Sequence, residues 1–291
     1  MTTQDNRVWT VVDMMEWATD YFQEKSVADP RLSIDWLLSE VLQVKRLDLY
    51  LQHDRPLATA ELDRLRVMVK RRAQHEPLQY ITGSAQFMDA TINVDPNVLI
   101  PRSETEQLTE LLLKQTLESV TKKLHLLDLG TGSGCIPIAV KQKRPYWSCH
   151  GIDISEGAIN LARKNAQINQ VDVNFNVADL LEFTTNPAGE WDIIISNPPY
   201  ITDSEKSEMN EQVLEYEPHQ ALFHNEPLQL YEKIIQFAAK NSALLFLECN
   251  DKTAIQVAEI ASRFYADSAL KKDLDGNNRF VIATKANNPL S

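Results

Sequence analysis

The chain has 291 residues, with 29 lysines and arginines against 41 aspartates and glutamates and a formal net charge of −12. A hydrophobic fraction of 43% is ordinary for a globular protein of one large or two smaller domains. No apolar run approaches the ~20 residues that cross a bilayer, no basic-then-apolar leader opens the chain, and net acidity disfavours nucleic acid as a direct substrate.

Residues 1–80 read as a small helical bundle. Val11, Met14, Met15, Ala18, Tyr21 and Phe22 recur at helical spacing, as do Ile34, Leu37, Leu38, Val41 and Leu42. Asp29-Pro30 suits the start of the second helix. Thr59 is a candidate cap for a third, with Leu62, Leu65, Val69 and Ala73 on one face. Arg64, Arg66, Lys70, Arg71 and Arg72 make a basic run there, read either as a solvated face or as a docking surface for an acidic partner or RNA. Residues 81–100 hold Phe87, Ile92, Val94 and Val98 among turn-formers, which suits a linker or β-hairpin.

Residues 101–291 form the third segment. Ser103-Glu104-Thr105-Glu106 matches a capping box with Ser103 as the cap. From residue 124 short apolar runs (124–129, 147–153, 173–178, 191–196 and 242–248) alternate with helix-length segments, one of them capped by Ser155. That alternation predicts an α/β fold with a mostly parallel sheet, closed by an antiparallel edge hairpin near Phe280. Acidity concentrates downstream: residues 1–85 carry 11 basic and 13 acidic side chains, the remainder 18 and 28. Cys135, Cys149 and Cys249 are odd in number and lack zinc-site spacing, so neither a disulfide scaffold nor a metal site is expected, and a reducing cytoplasm is.

Two constellations carry chemistry. The chain has only 8 glycines, and Gly130, Gly132 and Gly134 crowd into one loop with Thr131 and Ser133 after the first predicted strand. Such glycines let backbone turn sharply and approach a ligand. Asp153 ends the second strand, where a carboxylate can accept both ribose hydroxyls. Asp179 follows the third, within reach of an adenine amino group. The loop is Gly-x-Gly-x-Gly and lacks the Lys-Ser/Thr pair of a phosphate cradle. It therefore suits a nucleoside without pyrophosphate, such as S-adenosylmethionine, with NAD as the alternative. The second constellation is Asn197-Pro198-Pro199-Tyr200, directly after the fourth strand. The two prolines stop the strand and stiffen the backbone. The Asn197 oxygen and a neighbouring carbonyl can then hold a planar NH2 group and aim it at a methyl carbon. Tyr200 can pack on the same planar group.

On these residues the chain resembles the release-factor glutamine N5-methyltransferases of the HemK/PrmC type. The resemblance runs through 76–83, 98–102 with 104–106, 127–136, 153–155, 196–200 and 216–222. It implies a Rossmann-like class I methyltransferase domain over 101–291, preceded by a helical domain over 1–80 that docks the release factor. It implies transfer from S-adenosyl-L-methionine to the Gly-Gly-Gln glutamine of peptide-chain release factors. Gly130 to Gly134, Asp153, Asp179, Leu180 and Asn197 would bind the cofactor. Asn197, Pro198, Pro199 and Tyr200 would hold the glutamine, with Asn197, Pro198 and Tyr200 catalytic, and Phe87 would border the cofactor's methionine part. Departures from the family pattern are Ser103, Leu180, Asn241-Ser242 and Glu248-Cys249-Asn250. The alternatives are a methyltransferase for another planar nitrogen, on a ribosomal protein or a nucleobase, and a nucleoside-binding module without turnover.

Overall fold

The structure, a computed structural model, describes residues 8–185 and 190–287. The chain divides into two compact units, one ending at Gly83 and the next beginning at Ser84.

The first unit is helical: α1 (Val11–Glu24), α2 (Pro30–Leu42), α3 (Arg46–Leu49), α4 (Thr59–Arg72) and α5 (Leu78–Thr82). Its core is Met15, Phe22, Ile34, Leu37, Leu38 and Leu65, all fully buried. At the start of α1 the Thr10 hydroxyl accepts from the Asp13 N–H, and the Asp13 carboxylate accepts from the Thr10 N–H. Helix α2 begins at Pro30 behind Asp29, as the sequence suggests. Thr59 is not a cap. Ala58 holds that position, and its N–H is taken by the Glu61 carboxylate at 2.8 Å.

The basic run on α4 is not a uniformly solvated face. Arg72 is buried and donates to Ser33 Oγ (3.1 Å) and to the carbonyls of Glu76 (3.0 Å) and Ala28 (3.2 Å). Arg71 grips Glu76 in a two-pronged ion pair and reaches the Tyr80 carbonyl. Arg64 also reaches the Val41 carbonyl of α2 at 3.5 Å, so three of the five cations fasten the bundle internally.

The second unit opens with the hairpin β1 (Ser84–Phe87) and β2 (Ala90–Asn93), then α6 (Ser103–Gln115), β3 (His125–Leu129), α7 (Cys135–Lys143), β4 (Ser148–Asp153) and α8 (Glu156–Ile168). There follow β5 (Asn174–Val177), α9 (Leu180–Thr185), β6 (Ile193–Ser196), α10 (Glu211–Tyr216), α11 (His219–Leu222) and α12 (Pro227–Lys240). The described chain ends through β7 (Leu244–Glu248), α13 (Ala254–Phe264), β8 (Tyr265–Lys272) and β9 (Asn278–Ala286). No helix among the described residues is long and apolar enough to cross a membrane.

The hairpin belongs to this unit rather than forming a free linker. Asn165 on α8 exchanges hydrogen bonds with the backbone of Asn93, and Asn169 does so with Thr91. Glu106 accepts from the Met88 N–H at 2.7 Å. That contact also explains why the predicted capping box is absent: the Glu106 carboxylate serves the hairpin, Arg102 is the cap residue, and Ser103 is already helical. Ser155 does cap α8, accepting from the Ala158 N–H.

The sheet has the order β5-β4-β3-β6-β7-β9-β8. Pairing is parallel through β7, while β9 runs antiparallel to both β7 and β8. Ile193 to Ser196 are buried at every position, as a central strand covered on both faces requires. Leu127, Leu129, Ile194, Leu245 and Leu247 pack against Tyr231, Ile234 and Phe237 of α12 and Val257 of α13. Strand order reverses at β3, whose neighbours are β4 and β6. The carboxyl ends on either side of such a reversal leave a crevice in which open α/β sheets bind ligands.

Candidate active site

Register sets the site. Leu129 pairs with Ile152 on one side and Ser196 on the other. The glycine loop, Asp153 and Asn197 therefore leave the sheet side by side. Ser196 ties two of these strand ends, donating its hydroxyl to the Leu129 carbonyl at 2.7 Å.

Gly130, Gly132 and Gly134 all have left-handed φ, at 76°, 52° and 79°. The Gly132 N–H donates to Asp153 Oδ2 at 2.9 Å, and the Ser155 N–H to Oδ1 at 2.9 Å. Burial raises the Asp153 carboxyl above its usual range despite these bonds. Asp179 accepts from the Leu181 N–H at 2.7 Å. Beneath the loop Asp128 is fully buried, and burial pushes its carboxyl up to about 7 against the opposing hydrogen bond from the Thr131 hydroxyl (2.6 Å). Its other oxygen, Oδ1, has no partner.

A cavity of about 430 Å³ opens here. It brings together Gly130, Thr131, Gly132, Ser133, Asp153, Asp179, Leu180, Asn197 and Pro199. Four expected residues lie elsewhere. A Cβ on Gly134 would meet the Phe175 ring at 2.8 Å and the Ala162 methyl at 3.0 Å, so this glycine is required by packing behind the loop. Pro198 is buried beside the cavity. Tyr200 packs against the core, and its hydroxyl donates to Glu248 Oε1 at 3.4 Å instead of its ring lining the cavity. Phe87 is fully buried in the hairpin, opposite Ala90.

The cavity also uses residues given no role from spacing. Val98 to Arg102 form one wall, and Pro218, Ala221 and Phe223 another. Arg102 joins the walls by pairing with the buried Glu217 at 2.5 Å, and the Ile100 N–H reaches the same carboxylate. The partners lie 115 residues apart, beyond any periodicity argument, although both fall in stretches that carry the family resemblance. Thr105, another lining residue, accepts from Asn197 Nδ2 at 3.1 Å and donates to the buried Glu248 at 2.7 Å.

Electrostatics discriminate between ligands. Carboxylates face the loop at Asp153 and Asp179, and the lining's one arginine, Arg102, is already paired. A pyrophosphate would meet negative charge there. A nucleoside carrying positive charge would meet acceptors at Asp153 and Asp179, and below the loop Asp128 Oδ1 stands without a partner. Among the described residues no cluster of His, Cys, Asp or Glu could hold a metal ion.

Comparison with known proteins agrees with this geometry. Residues 13–83 match the PrmC N-terminal domain, and residues 90–230 match the methyltransferase small domain. The release factor glutamine methyltransferase of Flavobacterium psychrophilum is 38% identical over 89% of this chain and 92% of its own length. The proteins of that name from Chlorobaculum tepidum and Geobacter sulfurreducens are each 35% identical, over 94% and 96% of this chain and 97% and 98% of their own. With a helical unit, a parallel sheet and an Asn-Pro-Pro-Tyr loop beside a glycine turn, matched along nearly its whole length, the chain belongs to the release factor glutamine methyltransferase family.

Proposed function

We propose that the protein transfers a methyl group from S-adenosyl-L-methionine to the side-chain N5 of the glutamine in the Gly-Gly-Gln motif of peptide-chain release factors, in the cytoplasm. The single observation that carries this reading is the state of Asn197. Asn197 lines the cavity that holds the glycine loop; its Nδ2 is committed to Thr105, while its Oδ1 takes no protein hydrogen bond among the described residues.

S-adenosylmethionine, when bound, supplies a methyl group on a positively charged sulfur. Asp153 would accept from its ribose hydroxyls, Asp179 from the adenine amino group, and Leu180 would pack on the base, all three lining the cavity. Asn197 Oδ1 and a neighbouring carbonyl accept from the two N–H bonds of the glutamine. An amide nitrogen is a poor nucleophile because its lone pair is delocalised. Acceptors on both N–H bonds stabilise the positive charge that develops when that lone pair is used, and they fix its direction. Pro198 and Pro199 keep the loop stiff, and Tyr200 braces it from below.

A protein substrate suits the charge. The second unit holds the excess of acidic residues, and Arg71 and Arg72, which would anchor RNA, are engaged inside the helical unit. The helical unit is the release-factor docking domain in this reading. Labelled S-adenosylmethionine with purified release factor tests the proposal. Asn197→Ala should cut turnover on the order of 100-fold or more, the cost of removing one preorganised hydrogen-bonding group, and leave cofactor affinity within about threefold. Loss of cofactor binding with turnover per bound complex unchanged would contradict it.

A further inference from the structure

An asparagine side chain presents an acceptor at one end of its amide and donors at the other, and the two ends have nearly the same shape. A site that uses Asn197 as an acceptor therefore needs something to stop the amide inverting. The structure contains a chain of hydrogen bonds that does so. Asn197 Nδ2 donates to Thr105 Oγ1 at 3.1 Å, and Thr105 Oγ1 donates to Glu248 Oε2 at 2.7 Å. Thr105 and Glu248 are both buried, and they reach Asn197 from α6 and from the end of β7.

We infer that Thr105 and Glu248 are positioning residues that set the orientation of the Asn197 amide and hold its oxygen toward the substrate. A threonine hydroxyl has one proton, and an ionised carboxylate can only accept. With Glu248 ionised, the Thr105 proton must point at Glu248, so the face of Oγ1 turned to Asn197 can only accept. Only the NH2 end of the amide fits there, and Oδ1 is left facing the cavity. The inference rests on the reading of Asn197 as the substrate's acceptor.

The arrangement carries a pH dependence. Burial raises the Glu248 carboxyl to about 7. Glu104 of α6 also raises it, while Arg279 of β9 and the hydroxyls of Thr105 and Tyr200 lower it. Cys249 adjoins it, and Tyr231 of α12 donates to its main-chain carbonyl at 2.8 Å. Protonated Glu248 can donate to Thr105. The Thr105 proton is then free to meet Asn197 Oδ1, which turns the NH2 end toward the N–H bonds of the substrate.

The test uses the full chain with labelled S-adenosylmethionine and purified release factor. Thr105→Val should lower kcat on the order of tenfold, the usual scale for one lost hydrogen bond to a charged network. Affinity for S-adenosylmethionine should hold within about threefold, while the melting midpoint should fall because the buried Glu248 loses a donor and Asn197 Nδ2 an acceptor. Thr105→Ser, which keeps the hydroxyl, should return kcat to within about threefold of the wild type. The wild-type kcat should fall as pH drops through about 7, and Glu248→Gln should abolish that fall. A wild-type kcat in Thr105→Val overturns the inference. So does Thr105→Ser no better than Thr105→Val, or an unchanged acid limb in Glu248→Gln. A second readout needs no substrate. In nuclear magnetic resonance the Asn197 side-chain NH2 should exchange slowly with solvent in the wild type and faster in Thr105→Val. If the wild type fails to methylate release factor, the functional reading fails, and equal exchange in the two proteins would then reject the relay separately.

Discussion

Gly134→Ala should destabilise the second unit without acting on the ligand. Gly134 has φ +79°, where a Cβ meets the following carbonyl oxygen at a cost of about 1–2 kcal/mol. The added methyl would also lie 2.8 Å from the Phe175 ring and 3.0 Å from the Ala162 methyl, and overpacking of this kind adds about 1–3 kcal/mol. The combined loss, about 2–5 kcal/mol, corresponds to a fall in Tm of roughly 4–20 °C at about 2–4 °C per kcal/mol for a unit of this size. Gly130 and Gly132 share the left-handed backbone but face open space, so alanine there should cost only the backbone part, about 1–2 kcal/mol. Thermal unfolding of the three variants measures the difference, and calorimetry with S-adenosylmethionine below the transition measures affinity. Affinity should fall for Gly130→Ala and Gly132→Ala, which line the cavity, and hold for Gly134→Ala. A Gly134→Ala protein as stable as the wild type but unable to bind would refute the assignment of this glycine to packing.

Asp128→Asn should weaken binding of S-adenosylmethionine yet raise stability above pH 7. The folded carboxyl sits at about 7, above its unfolded value near ~3.9, so its contribution to stability is present at low pH and lost as pH rises through that window. Unfolding midpoints of both proteins from pH 4 to 8 should therefore diverge toward the alkaline end, and a constant offset would contradict this. Arg72→Met should destabilise the helical unit by about 2–4 kcal/mol in denaturant titrations, because Ser33 Oγ and two carbonyls lose their donor. Arg66→Ala, whose pair with Asp63 is exposed, should cost under about 0.5 kcal/mol. Ser155→Ala should cost about 1 kcal/mol through the lost α8 cap, and no change in unfolding would remove that role.

The parallel sheet was legible because its central strands are apolar runs bounded by turn-formers, and Ile193 to Ile195 could not face water on either side. The glycine turn, Asp153, Asp179 and Asn197 were legible for a related reason: each lies immediately after a strand, so alignment of the strands aligns them. Where the reading failed, a distant partner outweighed a local rule. Glu106 bonds Met88 rather than capping its own helix. Tyr200 turns to a carboxylate 48 residues later instead of to the cavity. Arg72 is different, because its spacing was readable. It follows Leu65 and Val69 on the buried stripe of α4, and its charge masked the periodicity. Thr105 and Glu248 gave no local signal, since a threonine in a first helical turn and a strand-end glutamate each read as ordinary until the fold brings them together.

The most direct test of the central claim is the position of the transferred methyl. Purified release factor is incubated with the protein and labelled S-adenosylmethionine, digested, and fragmented in a mass spectrometer. One added methyl should fall on the side chain of the glutamine in Gly-Gly-Gln and be absent with Asn197→Ala. A methyl on any other residue, or equal labelling by Asn197→Ala, would contradict the account.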